Sequence, residues 1–166
     1  MGQAQGKASG EAPTDVEVTL TNRMAEFTGG AVGTPLASAR LEALEMAEKE
    51  QKVFEVEVLP GSPALVARAF DPSDPGADLD LYVFDCTGKE CRGVKVDADP
   101  TGNEWVTVPN PAAGTWKIVV DAATVPSGRT AFQYLDAVLN PTWGMVTVAD
   151  LPQERAAGAR WSARAH

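Results

Sequence analysis

The sequence predicts an all-β fold, an antiparallel β-sandwich. Two observations predict it. Short segments alternate apolar and polar residues with a period of two, and turns bearing Gly or Pro separate them at intervals of about 10 residues. The long crossovers that parallel strands need are missing from the pattern. The 166 residues are enough for one sizeable core, because a domain of about 150 residues buries roughly 70% of its unfolded surface.

Residues 1–14 are small and polar and are expected to be a disordered tail. The sandwich is expected over 15–139, and 140–166 is expected to be a C-terminal hairpin or the start of a following domain. Asp15 to Leu20 alternates, with Val16, Val18 and Leu20 inward, and Asn22 to Pro35 reads as a glycine-bearing loop. Ala37 to Lys49 is the one short helix predicted. Thr34 caps it, Pro35 suits its first turn, and Glu45 stands four residues before Lys49 in the favourable order. Leu41 and Leu44 give it a narrow apolar stripe; an irregular acidic loop is the alternative. From Lys52 onward the period is two. Phe54, Val56 and Val58 oppose Glu55 and Glu57, then Leu65 to Phe70 forms the next strand. Further strands are expected at Asp78 to Phe84, Val94 to Val96, Glu104 to Val108, Thr115 to Val120 and Ala131 to Leu139. In the tail, Gly144 to Val148 and Arg160 to Ala165 are strand candidates, with Trp143 and Trp161 to bury.

The stretch from Ala77 to Cys91 organises the rest. Leu79, Leu81 and Val83 face one way, while Asp78, Asp80, Tyr82 and Phe84 face the other. Large apolar groups on both faces predict a central strand covered on both sides. Asp85, Thr87 and Gly88 end it in a tight reversal. Cys86 and Cys91 straddle that reversal and are expected to form a disulfide, which an oxidising compartment favours. A zinc site is excluded, because no second Cys or His pair accompanies them and the single histidine is His166. Two acids on one strand face admit two readings. Asp78 and Asp80 are candidate calcium ligands, since calcium takes several hard oxygens. Otherwise they accept backbone N–H hydrogen bonds or sit in water at the sheet's rim. Trp105 and Trp116 lie on predicted strands. They are either core residues or, as flat rings, a candidate binding platform for sugar or peptide.

The formal charge of −9 argues against nucleic acid and anionic membrane, both of which reward Lys and Arg. No apolar run approaches the length of a membrane span. The start, Met1 to Lys7, has no apolar signal core, so a secreted parent would carry its signal upstream. No Gly-x-Ser-x-Gly elbow occurs, no base stands near either cysteine in sequence, and Ser127 reads as a turn residue. No catalytic residue is assigned, and the domain is expected not to be an enzyme.

Ala77-Asp78-Leu79-Asp80-Leu81-Tyr82-Val83-Phe84-Asp85 with Thr87-Gly88 resembles the strand and turn of the bacterial pre-peptidase C-terminal domain. So do Asn103 to Val108 and Asn110-Pro111-Ala112-Ala113-Gly114-Thr115-Trp116-Lys117-Ile118-Val119-Val120. The resemblance runs in order from about Val16 to Leu139. The segment from Val16 through Pro35 and the tail from Gly144 to Trp161 look like extensions of actinobacterial subtilisin-like serine peptidases. The resemblance implies a jelly-roll-like sandwich: a non-catalytic accessory domain of a secreted subtilisin-like peptidase, whose partners are the peptidase catalytic domain or a protein substrate. Relatives include clostridial collagen-binding domains, some of which bind calcium through an acidic, Asn-rich stretch before the first strand; here Asp15, Glu17 and Asn22 stand there. A weaker resemblance through Gly114-Thr115-Trp116 is to the P domain of proprotein convertases. The alternative from a different class is an independent carbohydrate- or matrix-binding module, with calcium as its candidate cofactor.

Overall fold

Period-two alternation becomes strand pairing along nearly all of the chain. The computed structural model describes residues 16–22, 26–30 and 33–166. The tail expected over 1–14 lies outside these residues, as do Asp15 and the facing of Val16, Val18 and Leu20. The strands are β1 (Val16–Thr21), β2 (Phe27–Gly29), β3 (Thr34–Pro35), β4 (Ala37–Ala47), β5 (Gln51–Val58), β6 (Ala64–Phe70), β7 (Asp78–Asp85) and β8 (Arg92–Asp97). They continue with β9 (Glu104–Pro109), β10 (Gly114–Thr124), β11 (Arg129–Leu139), a 3₁₀ turn at Pro141–Trp143, β12 (Met145–Val146), β13 (Val148–Ala149), β14 (Gln153–Arg155) and β15 (Arg160–Ala165). The chain forms two compact units, one from its two ends, up to Leu36 and from Gly144, the other from Ala37–Trp143.

The central unit is an all-β antiparallel sandwich of two four-stranded sheets, ordered β5-β10-β7-β8 and β4-β11-β6-β9. Leu79, Leu81 and Val83 of β7 and Ile118 and Val120 of β10 meet Leu65, Ala67, Phe132 and Tyr134 in one buried cluster. The rings of Phe54 and Tyr134 stack within it, 3.7 Å between centroids. Strand β7 does lie inside its sheet, between β10 and β8. The expected cover on both sides is corrected, however. Its Leu79, Leu81 and Val83 face is fully buried, whereas Asp80, Tyr82 and Phe84 are only half-buried.

The helix expected over 37–49, and its loop alternative, are both overturned. Ala37–Ala47 is a strand, paired antiparallel with β11 along its whole length, from Ala37 opposite Leu139 to Ala47 opposite Arg129. Ala, Leu, Glu and Met favour helix locally, but a long neighbouring strand outweighs propensity. Leu44 packs against the core and Met46 is buried in it, while Leu41 faces outward, 63% exposed. The two leucines read as one stripe therefore lie on opposite faces, as residues an odd number apart must on a strand. Glu45 bonds Arg129 across the sheet rather than Lys49 along a helix, and Lys49 takes a left-handed φ of 66° in the turn that follows. Thr34 and Pro35, read as cap and first turn, pair instead with Val146 and Met145.

The other unit joins the two ends of the chain. Strand β1, grouped with the sandwich on sequence, pairs with β15 from Val16 opposite Ala165 to Thr21 opposite Arg160. The tail strands make only a short contact with each other, at Val148–Ala165 and Ala149–Arg164. Buried Arg155 and Asp150 form an ion pair at 2.8 Å, Trp161 Nε1 donates to Asp150 at 3.0 Å, and the Arg155 guanidinium lies over the Trp161 ring.

Candidate functional site

The reversal after β7 shows how the sequence builds a rigid loop. Asp85 Oδ1 accepts from the Thr87 N–H at 2.9 Å and the Thr87 hydroxyl at 2.6 Å, and Arg92 reaches Oδ2 at 3.0 Å. Those Thr87 bonds, with Arg92 adding less, hold the Asp85 carboxyl below the usual range. Cys86 and Cys91 form the expected disulfide. Gly114 packs against this loop with φ +126°, and a Cβ there would stand 3.0 Å from Thr87 Cγ2, so the Gly of the Gly-Thr-Trp element is required on two counts. Replacing both cysteines by serine frees a short loop in the unfolded chain, and an expected loss of about 2 kcal/mol follows from its length. Urea unfolding reads it; coincident curves would mean that Asp85 alone holds the turn.

Asp78 and Asp80 do share one face of β7. Asp80 Oδ2 accepts from the Tyr82 hydroxyl at 2.8 Å. Asp78 Oδ1 is buried with no hydrogen-bond partner; burial first, then Asp80 and Asp99, raise its pKa. Among the described residues no three Asp, Glu, His or Cys side chains stand together as a metal site requires. Two carboxylates fall short of the six or so oxygens that calcium takes, so the pair does not by itself fit the ion.

Of the two tryptophans, Trp116 is corrected as a binding residue. It is 2% exposed in the core, and its Nε1 donates to the Ala112 carbonyl at 2.9 Å, which staples the turn before β10. Trp105 is different, with 44% of its surface exposed. It lies on the outer face of the sheet β4-β11-β6-β9, opposite Arg68 of β6. The Arg68 guanidinium sits 4.8 Å from the Trp105 centroid and 4.8 Å from that of Phe70. Its Nε is buried and makes no hydrogen bond, and among the described residues no carboxylate pairs with it. The register continues the row. Arg68 stands opposite Leu135, and Leu135 opposite Leu41. Leu41, Leu135, Arg68 and Trp105 therefore cross the sheet side by side.

Arg68 and Phe70 escaped the sequence reading, although the signal was present. Leu65, Ala67 and Ala69 are the buried phase of β6, which places Arg68 and Phe70 outward together. A second arginine was missed with the strand it sits on. Arg40 Nε pairs with Asp136 at 3.0 Å, and its Nη2 donates to the Glu55 carbonyl at 2.7 Å, which ties β4 of one sheet to β5 of the other. These residues line a groove of about 330 Å³ with Trp143 at one side. For nucleophilic chemistry the inventory is short. Both cysteines are oxidised, and His166 is the sole imidazole.

No protein-family model matches the chain. Among curated proteins, pyrolysin of Pyrococcus furiosus is similar, 31% identical over 129 residues. The match takes in 76% of this chain but 9% of pyrolysin. Most of this chain is thus similar to a short stretch of a subtilisin-like peptidase. A solved structure, the Bacillus licheniformis lipase BlEst2 in propeptide form, overlaps 84% of this chain and 25% of its own at 18% identity and a TM-score of 0.32. That likeness carries no argument. Among the described residues, no helix is long and apolar enough to cross a membrane.

Proposed function

We propose that the chain is a non-catalytic accessory domain of a secreted subtilisin-like peptidase, of the pre-peptidase C-terminal type, and that it engages a protein substrate or steadies the catalytic domain. The observation that carries this reading is the pyrolysin match, which covers most of this chain and a small share of the peptidase. A match of that shape is what an attached domain gives. The chemistry agrees with it. A serine or cysteine nucleophile needs a base within hydrogen-bond reach, and the chain offers one imidazole, at its last residue, and no free thiol. The disulfide supports an oxidising, extracellular setting. The test has two arms. The isolated chain should leave casein uncleaved, and it should be retained on immobilised casein or collagen but not on cellulose or chitin. Cleavage of casein, or retention on polysaccharide alone that survives high salt, overturns the proposal.

The calcium-dependent module is favoured by one observation, the orphaned Asp78 Oδ1 beside Asp80. A cation that bound only the folded state would raise the melting temperature. With two carboxylates and no third ligand group among the described residues, the expected result is coincident melting curves in millimolar calcium and in chelator. A rise with calcium would restore Asp78 and Asp80 as ligands and the independent-module reading with them.

A further inference from the structure

We propose that the outer face of the β4-β11-β6-β9 sheet is a docking surface for an extended polypeptide segment that presents a carboxylate between apolar side chains, with Arg68 as the anchor. The inference rests on the protein-binding reading above and names its surface. Three observations lead to it.

The face is apolar where the rest of the molecule is acidic. The chain holds 23 acidic residues, yet by strand alternation Glu45 is the one acid that points outward from these four strands, and Arg129 already pairs with it. Leu41 at 63% and Trp105 at 44% exposure bracket the row, with Leu135 and Phe70 half-buried beside Arg68. Grouped large apolar side chains on a sheet's solvent face mark contact surfaces more than solvated ones.

Arg68 sets the charge of the occupant. Its guanidinium is fixed between the Phe70 and Trp105 rings, so little side-chain freedom is left to lose on binding. Among the described residues no carboxylate pairs with it, and a planar guanidinium matches a carboxylate with two parallel hydrogen bonds. Arginine and tryptophan together are also the residue types on which binding energy concentrates. Around them stand the hydrocarbon groups Leu41, Leu135 and Val66, with the Gln133 amide opposite Phe70 and the Thr107 hydroxyl opposite Val66 towards the edges of the row. One cation on a chain of net charge −9 does not draw an anionic membrane.

Geometry fits an extended chain. Four neighbouring strands set the row from Leu41 to Trp105 about 14 Å long. An extended Leu-x-Glu-x-Leu segment places its three same-side residues over about 13 Å. Its carboxylate then falls near the middle of the row, within reach of Arg68, and its leucines fall on the hydrocarbon at either end.

The probes are two immobilised peptides, acetyl-Leu-Thr-Glu-Thr-Leu-amide and its Gln counterpart, with the full chain in solution. The wild type should be retained more strongly by the Glu peptide. Arg68→Gln should weaken that binding about tenfold and abolish the preference for Glu over Gln. Trp105→Thr, at an exposed strand position, should weaken binding to both peptides and guards against a misfolded Arg68 variant. Equal retention of Arg68→Gln and wild type, or binding to neither peptide, overturns the inference. So does self-association that Arg68→Gln breaks without any peptide binding, or a sugar affinity lost in Trp105→Thr. The accessory-domain reading fails separately. If wild type and Arg68→Gln are equally retained on casein, that reading survives and this surface does not; retention on polysaccharide alone removes both.

Discussion

Arg40→Met is expected to destabilise the sandwich by about 2–3 kcal/mol at about pH 8, because it leaves the buried Asp136 carboxyl without its cationic partner. The Asp136 side chain is 7% exposed and that of Arg40 36% exposed, so the acid is the group that water cannot rescue. Burial raises the Asp136 pKa, and the Tyr134 hydroxyl and Arg40 oppose that rise. Methionine keeps most of the cover over the Phe54 ring, which the guanidinium carbon overlies at 5.5 Å, but it removes the charge and the donor to the Glu55 carbonyl. Asp136 is then left with the Tyr134 hydroxyl at 2.9 Å. The sign with pH follows from linkage. A carboxyl whose folded pKa is raised binds more protons folded than unfolded, so stability falls as pH climbs from the unfolded towards the folded value. Removing Arg40 raises the folded value further and deepens that fall. Below the ordinary carboxylate range Asp136 is protonated in both states, and the loss should shrink to the part due to packing and the Glu55 bond. Urea unfolding at about pH 8 and about pH 3 separates the two contributions, and Asp136→Asn in the Arg40→Met background should recover most of the loss at the higher pH. An equal loss at both pH values would show that Arg40 acts by cover alone.

That bond also marks where sequence reasoning reached its limit. Strands β5 to β11 were legible because each carries its own alternation and is bounded by Gly, Pro or Asp. The segment Ala37–Ala47 was not, because Ala, Leu and Glu are helix formers and a three-residue spacing of leucines looks like a helical stripe. What decides it is β11, a strand far along the sequence that pairs with all of it. Once that strand was misread, Arg40 had no face assigned and the tie to Glu55 could not be seen. Pairing of the chain's two ends was hidden for the same reason, since register between β1 and β15 is a long-range property. The turn at Asp85, with its disulfide, was legible because the bonds to its acid and the disulfide itself join residues within seven positions of one another. Of the residues singled out, Trp105 lies on an open face while Trp116 is core, a distinction that period two could have drawn. Trp105 alternates against Val106 and Val108, whereas Trp116 shares its phase with Ile118 and Val120.

The same phase argument exposes Glu104, which stands in register with Val106 and Val108 on the inner face of β9. It is 1% exposed. Oε1 accepts from the Thr101 hydroxyl at 3.2 Å, while Oε2 is buried and unpartnered. Burial first, then Asp97, with smaller contributions from Asp99 and Asp80, push its pKa up to about 7 against the Thr101 bond. Folded Glu104 therefore binds a proton between about pH 4.5 and 7 that the unfolded chain has released, and the native state loses stability as pH rises through that window. The total is on the order of 3 kcal/mol. Glu104→Gln keeps an oxygen for Thr101 and turns the orphaned acceptor into an N–H donor among acids. It should stabilise the protein by about 2–3 kcal/mol at about pH 8 and by little at about pH 5. Wild type should be more stable at the lower of those two values, and the variant should lose most of that slope; the slope that remains belongs to Asp78 and Asp136, whose pKa values are also raised. Chemical unfolding across the range reads both. A variant whose stability runs parallel to wild type at every pH would show that Glu104 is ionised in the folded protein throughout, and that its burial is compensated by a partner outside this sheet.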